Sequence, residues 1–377
     1  MSYLRLDEVC NLKMGQSPDS GSYNQERDGI PFFQGNADFG EMHPVTRTWC
    51  NNPTKVVDKG TLLISVRAPI GALNFAVEKS CIGRGLAGIT AKNEYDMKYI
   101  YYALKYKNRE LKDKGTGSTF KAISKSTLGK VLIRDMTIEN QRECIKRLDL
   151  IYKIFVLKKE KIRQYDELIK SRFIEMFGYD IKDCDQSEQV KEIANVRVGI
   201  VIQPTQYYTS KEEVGIKAFR SANVRPFMVN DSDWVYFDPE SHSRMSKTHI
   251  HSNEVLIVRS GANLGQSCVV PEEYEGSNAI DILIVKVDEE KILPGFFCAF
   301  VNFPMGRMQI LDGQRGGAQK HLNVGVFEKA RIPIPSIEKQ REFVSFVEAI
   351  DKSKFATQKA LTETQQLFDS LMQKYFG

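Results

Sequence analysis

Two loops of this chain carry the same chemistry. Lys114-Gly115-Thr116-Gly117-Ser118-Thr119-Phe120-Lys121 and Gly313-Gln314-Arg315-Gly316-Gly317-Ala318-Gln319-Lys320 both end a glycine-rich run on a lysine. Glycines let a backbone approach phosphate and offer N–H donors, lysine neutralises charge, and Gln or Arg can pair bidentately with base edges. Either loop alone reads equally well as a flexible surface turn. Its recurrence marks Gly117, Ser118, Lys121, Arg315, Gly316, Gly317, Gln319 and Lys320 as candidate phosphate- or base-contacting residues. A second pair sets Arg67-Ala68-Pro69-Ile70-Gly71 against Arg259-Ser260-Gly261-Ala262-Asn263-Leu264-Gly265. An arginine closing an apolar strand either reaches phosphate or guanine or pairs with an internal carboxylate, so Arg67, Arg259 and Asn263 join the candidates. The third pair is Gln34-Gly35-Asn36 with Asp38 against Arg220-Ser221-Ala222-Asn223, adding Gln34, Asn36, Arg220 and Asn223.

No catalytic constellation accompanies these loops. Gly83-Arg84-Gly85-Leu86-Ala87-Gly88 satisfies the dinucleotide spacing, but it runs into a strand rather than a helix, and Asp281-Ile282-Leu283-Ile284 lacks the glycines. Asn52-Pro53-Thr54 and Asp238-Pro239-Glu240 do not make the motif that holds an extruded base for methyl transfer. Asp281 with Glu289, Glu290 and Lys291 offers a nuclease alternative, although the acidic run reads better as a turn before a helix. His242, His249 and His251 lack a carboxylate or cysteine at fixed spacing, so no metal site is assigned.

The elements that must position the loops are duplicated. Ile138-Glu139-Asn140-Gln141-Arg142-Glu143 recurs as Ile337-Glu338-Lys339-Gln340-Arg341-Glu342, and Phe177-Gly178 as Phe376-Gly377, both 199 positions apart. Upstream, Leu6–Val9 resembles Val190–Ile193, Ile64–Arg67 resembles Leu256–Arg259, and Lys121–Ile123 resembles Lys320–Leu322. Between the constant ends, Leu148, Phe155, Ile162, Ile169 and Met176 fall at strict sevens, with Ile145, Tyr152 and Leu168 beside them. The second copy keeps Val347, Leu361, Phe368 and Tyr375 in that spacing, with Val344, Ile350, Leu367 and Leu371 beside them. Two helices of about 40 residues are expected, packed seam to seam. Residues 1–136 and 179–335 read as α+β. Strands are expected at Thr61–Val66, Leu86–Thr90, Glu254–Arg259 and Ile282–Val287, and helices around Glu94–Asp113 and Glu290–Leu311, with long irregular stretches at Gly15–Gly40 and Gln203–Val224.

Composition sets the outer limits. The 377 residues are 42% apolar and 27% charged, which suits two or three ordinary domains and excludes wholesale disorder. No apolar run reaches the ~18 residues of a membrane span, and no signal peptide is read at the start, so a cytoplasmic protein is expected. Seven scattered cysteines without a C-x-x-C pair disfavour disulfides and a zinc knot. A net charge of +5 and a pI of 8.6 permit DNA binding but fall short of a self-sufficient DNA-binding domain.

The strand-Arg-Gly run, the Gly/Lys loop and the Ile-x-x-Gln-Arg-Glu start of a long helix ending in Phe-Gly, all present twice, resemble the specificity subunit of type I restriction-modification systems. The resemblance covers essentially the whole chain. It implies two target-recognition domains (1–136 and 179–335), each reading half of a bipartite DNA site, with two antiparallel coiled-coil helices (137–178 and 336–377) as spacers and an internal pseudo-twofold repeat. It further implies a non-catalytic subunit that holds no cofactor itself and directs partners to double-stranded DNA. Those partners are methyltransferase subunits, two in number, bringing S-adenosylmethionine, and restriction subunits bringing ATP and Mg chemistry.

Overall fold

The computed structural model describes residues 2–92, 94–115, 121–178, 186–201, 208–209, 215–311 and 321–377. Two helices of 40 residues each, Ile138–Phe177 and Ile337–Phe376, run as the sevenfold pattern requires. The hydroxyls of Thr137 and Ser336, just ahead of each start, accept from the backbone N–H groups of Asn140 and Lys339 at 3.4 and 3.5 Å. At the far end of the first helix Gly178 adopts φ 86°, a conformation open to glycine, and its N–H returns to the Ile174 carbonyl at 2.9 Å.

The chain forms two compact units, residues 1–160 with 358–377 and residues 161–357. Each unit therefore holds one α+β domain, part of the first long helix and part of the second.

In the first unit a four-stranded sheet is ordered Cys10–Met14, Leu86–Ala91, Leu62–Ser65, Leu73–Phe75. A five-stranded sheet, ordered Tyr23–Asn24, Trp49–Cys50, Ile30–Phe33, Ser80–Ile82, Val56–Val57, carries the stretch expected to be irregular. Tyr3–Arg5 pairs with Leu132–Arg134. The core joins Leu62, Ile64, Ile89, Tyr99, Ile100 and Leu104 to Cys144, Ile145, Leu148 and Ile151 of the first long helix and to Phe368, Met372 and Phe376 of the second.

The second unit repeats this topology. Its sheet runs Ala194–Val198, Ile282–Val287, Val255–Val258, Ser267–Val269, and a further sheet runs Tyr208–Thr209, Val235–Phe237, Ile216–Phe219, Asn278–Ala279. Ser187–Gln189 pairs with Arg331–Pro333 as its counterpart does. Here Ile169, Phe173 and Phe177 of the first long helix meet Phe343 of the second and Phe296 and Phe300 of the domain. Asp166 to Lys354 (2.5 Å) and Arg172 to Glu342 (2.7 Å) show the helices running antiparallel in this unit.

The helix expected around Glu94–Asp113 breaks into Met97–Tyr106 and Asn108–Asp113, and the one around Glu290–Leu311 into Pro294–Asn302 and Pro304–Leu311. Pro304 explains the second break, because it has no N–H to continue the ladder. On the long helices Leu148, Ile169, Leu361 and Phe368 are buried, while Phe155, Ile162, Met176, Val347 and Tyr375 are half-buried. Leu168 and Leu367, expected on the buried stripe, are exposed. The stripe instead turns toward the domain through Phe173, Phe177, Met372 and Phe376, because near the helix ends the apolar partner is the domain's own helix as well as the other long helix.

Candidate nucleic-acid interface

Backbone hydrogen bonds fix how the two domains correspond. Phe33–Ile82 and Phe219–Ala279 are both parallel register pairs. Gly83 N–H donates to the Phe33 carbonyl and Ile280 N–H to that of Phe219, each at 2.8 Å. Gln34 therefore corresponds to Arg220. The loops that follow are stapled alike: the Asp38 carboxylate accepts from Gln34 N–H (2.8 Å), and the Asn223 side-chain oxygen accepts from Arg220 N–H (3.0 Å). Asn223 also donates to the carbonyls of Asn230 and Ser232 and is fully buried, which corrects its reading as a DNA contact. Its bonds shape the loop that carries Arg220, whose own guanidinium is held by Asp233.

Arg67 and Arg259 are not counterparts. Ile123 N–H donates to the Val66 carbonyl, and Leu322 N–H to that of Arg259. The isolated bridges Arg67–Ala122 and Ser260–His321 give the same register. Arg67 corresponds to Ser260, and Arg259 to Val66. Because side chains alternate along a strand, this one-residue difference sends Arg67 to solvent and Arg259 inward. Arg259 is 8% exposed, and its guanidinium donates to Asp281 at 2.9 Å and to the Leu322 carbonyl at 3.1 Å. The expected DNA contact is a buried ion pair; of the two readings open to it, the internal carboxylate holds.

In the first unit Gln34, Asn36 and Arg67 converge. With Gly35, Asp38, Thr48 and Arg84 they line a cleft of about 370 Å³, beside the stacked rings of Tyr23 and Phe32 at 4.7 Å. Arg84 comes from the glycine run dismissed as a dinucleotide motif. Those glycines serve packing: a Cβ on Gly85 would lie 2.5 Å from the Gln34 carbonyl, and one on Gly88 2.7 Å from Val57 Cγ1. Lys121 is exposed, and its carbonyl accepts from Ala68 N–H, so the glycine loop ends against the Arg67 turn. In the second unit Asn263 is half-buried in the Val255–Val258 hairpin and accepts from Gln266 at 3.3 Å. Gly117, Ser118, Arg315, Gly316, Gly317, Gln319 and Lys320 lie outside the described residues.

The chain matches the family described as the type I restriction modification DNA specificity domain over residues 1–165 and 240–366. It belongs to that family. It is 43% identical over 165 residues to the putative type I restriction enzyme MjaX specificity subunit of Methanocaldococcus jannaschii, an alignment covering 44% of this chain and 39% of that subunit. It is 20% identical to the Escherichia coli EcoBI specificity subunit across 100% of this chain and 85% of that one. The crystal structure of the type I S subunit from M. genitalium superposes with a TM-score of 0.62 at 16% identity, covering 100% of this chain and 96% of the other, and shares the fold.

Among the described residues nothing supports the endonuclease alternative. Asp281 and Glu289 flank the strand Ile282–Val287, which sets them on the order of 20 Å apart, and Lys291 pairs with Glu188. His242 and His249 stack at 3.9 Å and bond to Asn278 and the His242 carbonyl, while His251 pairs with Glu275. Among the described residues no cluster able to hold a metal is found, and no helix is long and apolar enough to cross a membrane. The six cysteines among them are buried and free. Burial pushes the thiols of Cys10, Cys144 and Cys298 up to about 12, far from nucleophilic or ligating use.

The repeat motif at the start of the long helix is an anchor. Gln141 is fully buried, donating to the carbonyls of Glu94 and Met136 and accepting from Asp96 N–H. It ties the start of the long helix to the loop before the domain helix.

Proposed function

We propose that the chain is the non-catalytic, sequence-specific DNA-binding subunit of a type I complex, each unit contributing recognition of one half of a bipartite target. The observation carrying this reading is the pair of matched scaffolds. The same strands and the same stapled loop occur in both units, yet the side chains at corresponding positions differ: Gln34 against Arg220, Arg67 against Ser260, and Arg84 where the second unit has Asp281. Conserved framework with exchanged polar groups suits two readings of different sequence.

On this reading the chain works in the cytoplasm with double-stranded DNA, methyltransferase subunits and restriction subunits. S-adenosylmethionine, ATP and Mg belong to those partners, and the long helices supply their docking surface. The test is reconstitution with the methyltransferase subunits. Methylation should become restricted to defined sites only when this chain is present, and purified chain with Mg should leave plasmid DNA uncut. Methylation indifferent to the chain would defeat the proposal.

A further inference from the structure

We infer that Arg84 reads a guanine in one half-site, a contact that the corresponding link of the other unit does not offer. The inference rests on the DNA-recognition reading above. In the first unit, Gly83 N–H bonds to Phe33 and Gly15 N–H to Leu86; in the second, Ile280 N–H bonds to Phe219 and Gly199 N–H to Ile282. Between these matched points the first unit has Arg84-Gly85 and the second only Asp281. The first link presents a cation. The second presents a carboxylate at φ 48°, consumed by Arg259.

Arg84 is exposed, and among the described residues its guanidinium has no hydrogen-bond or ion-pair partner. Its position is nevertheless set, since Gly83 and Gly85 pack directly on the Gln34 backbone. The arginine lies with Gln34 and Asn36 at the cleft, a grouping of side chains that can each pair with a base edge. A phosphate contact is sequence-independent, so matched units would share it, yet at the corresponding place the second unit has Asp281, held in its pair with Arg259. A guanine contact has no such requirement. The arginine fork matches the O6 and N7 acceptors of guanine in the major groove, while the exposed Lys121 is better suited to backbone charge.

The test maps modified sites on a randomised DNA library, using the complex of the full chain with its methyltransferase subunits. The unaltered complex should demand a G·C pair at one position in one half-site. Arg84→Gln should reduce that preference about 10- to 100-fold, leaving the other half-site unchanged. Thermal melting of the variant should match the parent, because the exposed guanidinium has no hydrogen bond or ion pair to lose among the described residues. Equal loss on every sequence, restored by Arg84→Lys, would overturn the inference in favour of a phosphate contact. An unaltered preference map would also overturn it. Modification without any site restriction by the parent complex would instead bring down the DNA-recognition reading, and this inference with it.

Discussion

Gln141 and Gln340 make the same three hydrogen bonds in the two units. Gln340 donates to the carbonyls of Lys291 and Pro335 at 2.9 and 2.8 Å and accepts from Leu293 N–H at 2.8 Å, as Gln141 does with Glu94, Met136 and Asp96. Both are fully buried. Removing either side chain takes the partner from two carbonyls and an amide at a part-buried site. Gln340→Leu is expected to cost about 3 kcal/mol in urea unfolding. Gln340→Glu should cost at least as much, because an ionised carboxylate there would be buried facing two carbonyl oxygens.

The register difference between Arg67 and Arg259 has a stability signature. Asp281→Asn leaves a buried guanidinium short of its counter-charge and should destabilise by about 2–3 kcal/mol. Arg67→Ala, at an exposed side chain, should stay within about 0.5 kcal/mol of the parent. Comparable losses from the two variants in chemical denaturation would show that the side chains have been assigned to the wrong faces.

Asp351 gives a pH dependence. Burial, with Asp166 and Glu348 adding like charge, outweighs Lys354 and raises its carboxyl to about 6. The folded state thus holds a proton that the unfolded chain, near 3.8, releases. Its contribution favours folding below about pH 4 and is lost as pH rises through about 6. Asp351→Asn should therefore stabilise the protein by about 1–2 kcal/mol at pH 7.5, discounted for partial exposure, and the gain should vanish toward pH 4. A gain independent of pH in thermal melts would refute the assignment.

Charge bounds the solitary chain. With a net charge of only +5, it should bind DNA weakly at ~150 mM salt until methyltransferase subunits are added. In the complex, Lys121→Ala should weaken binding on all sequences and lower the salt slope by about one. Full sequence preference from the chain alone in a gel-shift titration would contradict this.

Legibility followed period and offset. The constant 199-residue separation identified both long helices, because an insertion-free repeat must preserve the phase of a helix, and the strands around Leu62–Ser65 and Ile282–Val287 were plain from their apolar runs. What failed was single-residue register. Matching Arg67 to Arg259 by residue type ignored that the hairpin loops differ in length, and one position in a strand exchanges inside for outside. Phe173, Phe343 and Met372 fall outside the strict sevens because that spacing describes a helix facing another helix, whereas these side chains also face a domain. Arg84 sits inside a glycine run whose spacing resembles a nucleotide motif. Its placement beside Gln34 depends on the Ile30–Phe33 and Ser80–Ile82 strands running side by side, a pairing of distant segments.

The most direct test of two independent readers is the motif methylated by the complex carrying Gln34→Ala, Asn36→Ala and Arg67→Ala together, compared with the parent motif. The parent should give two defined blocks separated by an unread spacer of fixed length. The variant should relax one block and leave the other block and the spacer intact. Relaxation of both blocks, or a single continuous motif from the parent, would contradict the account.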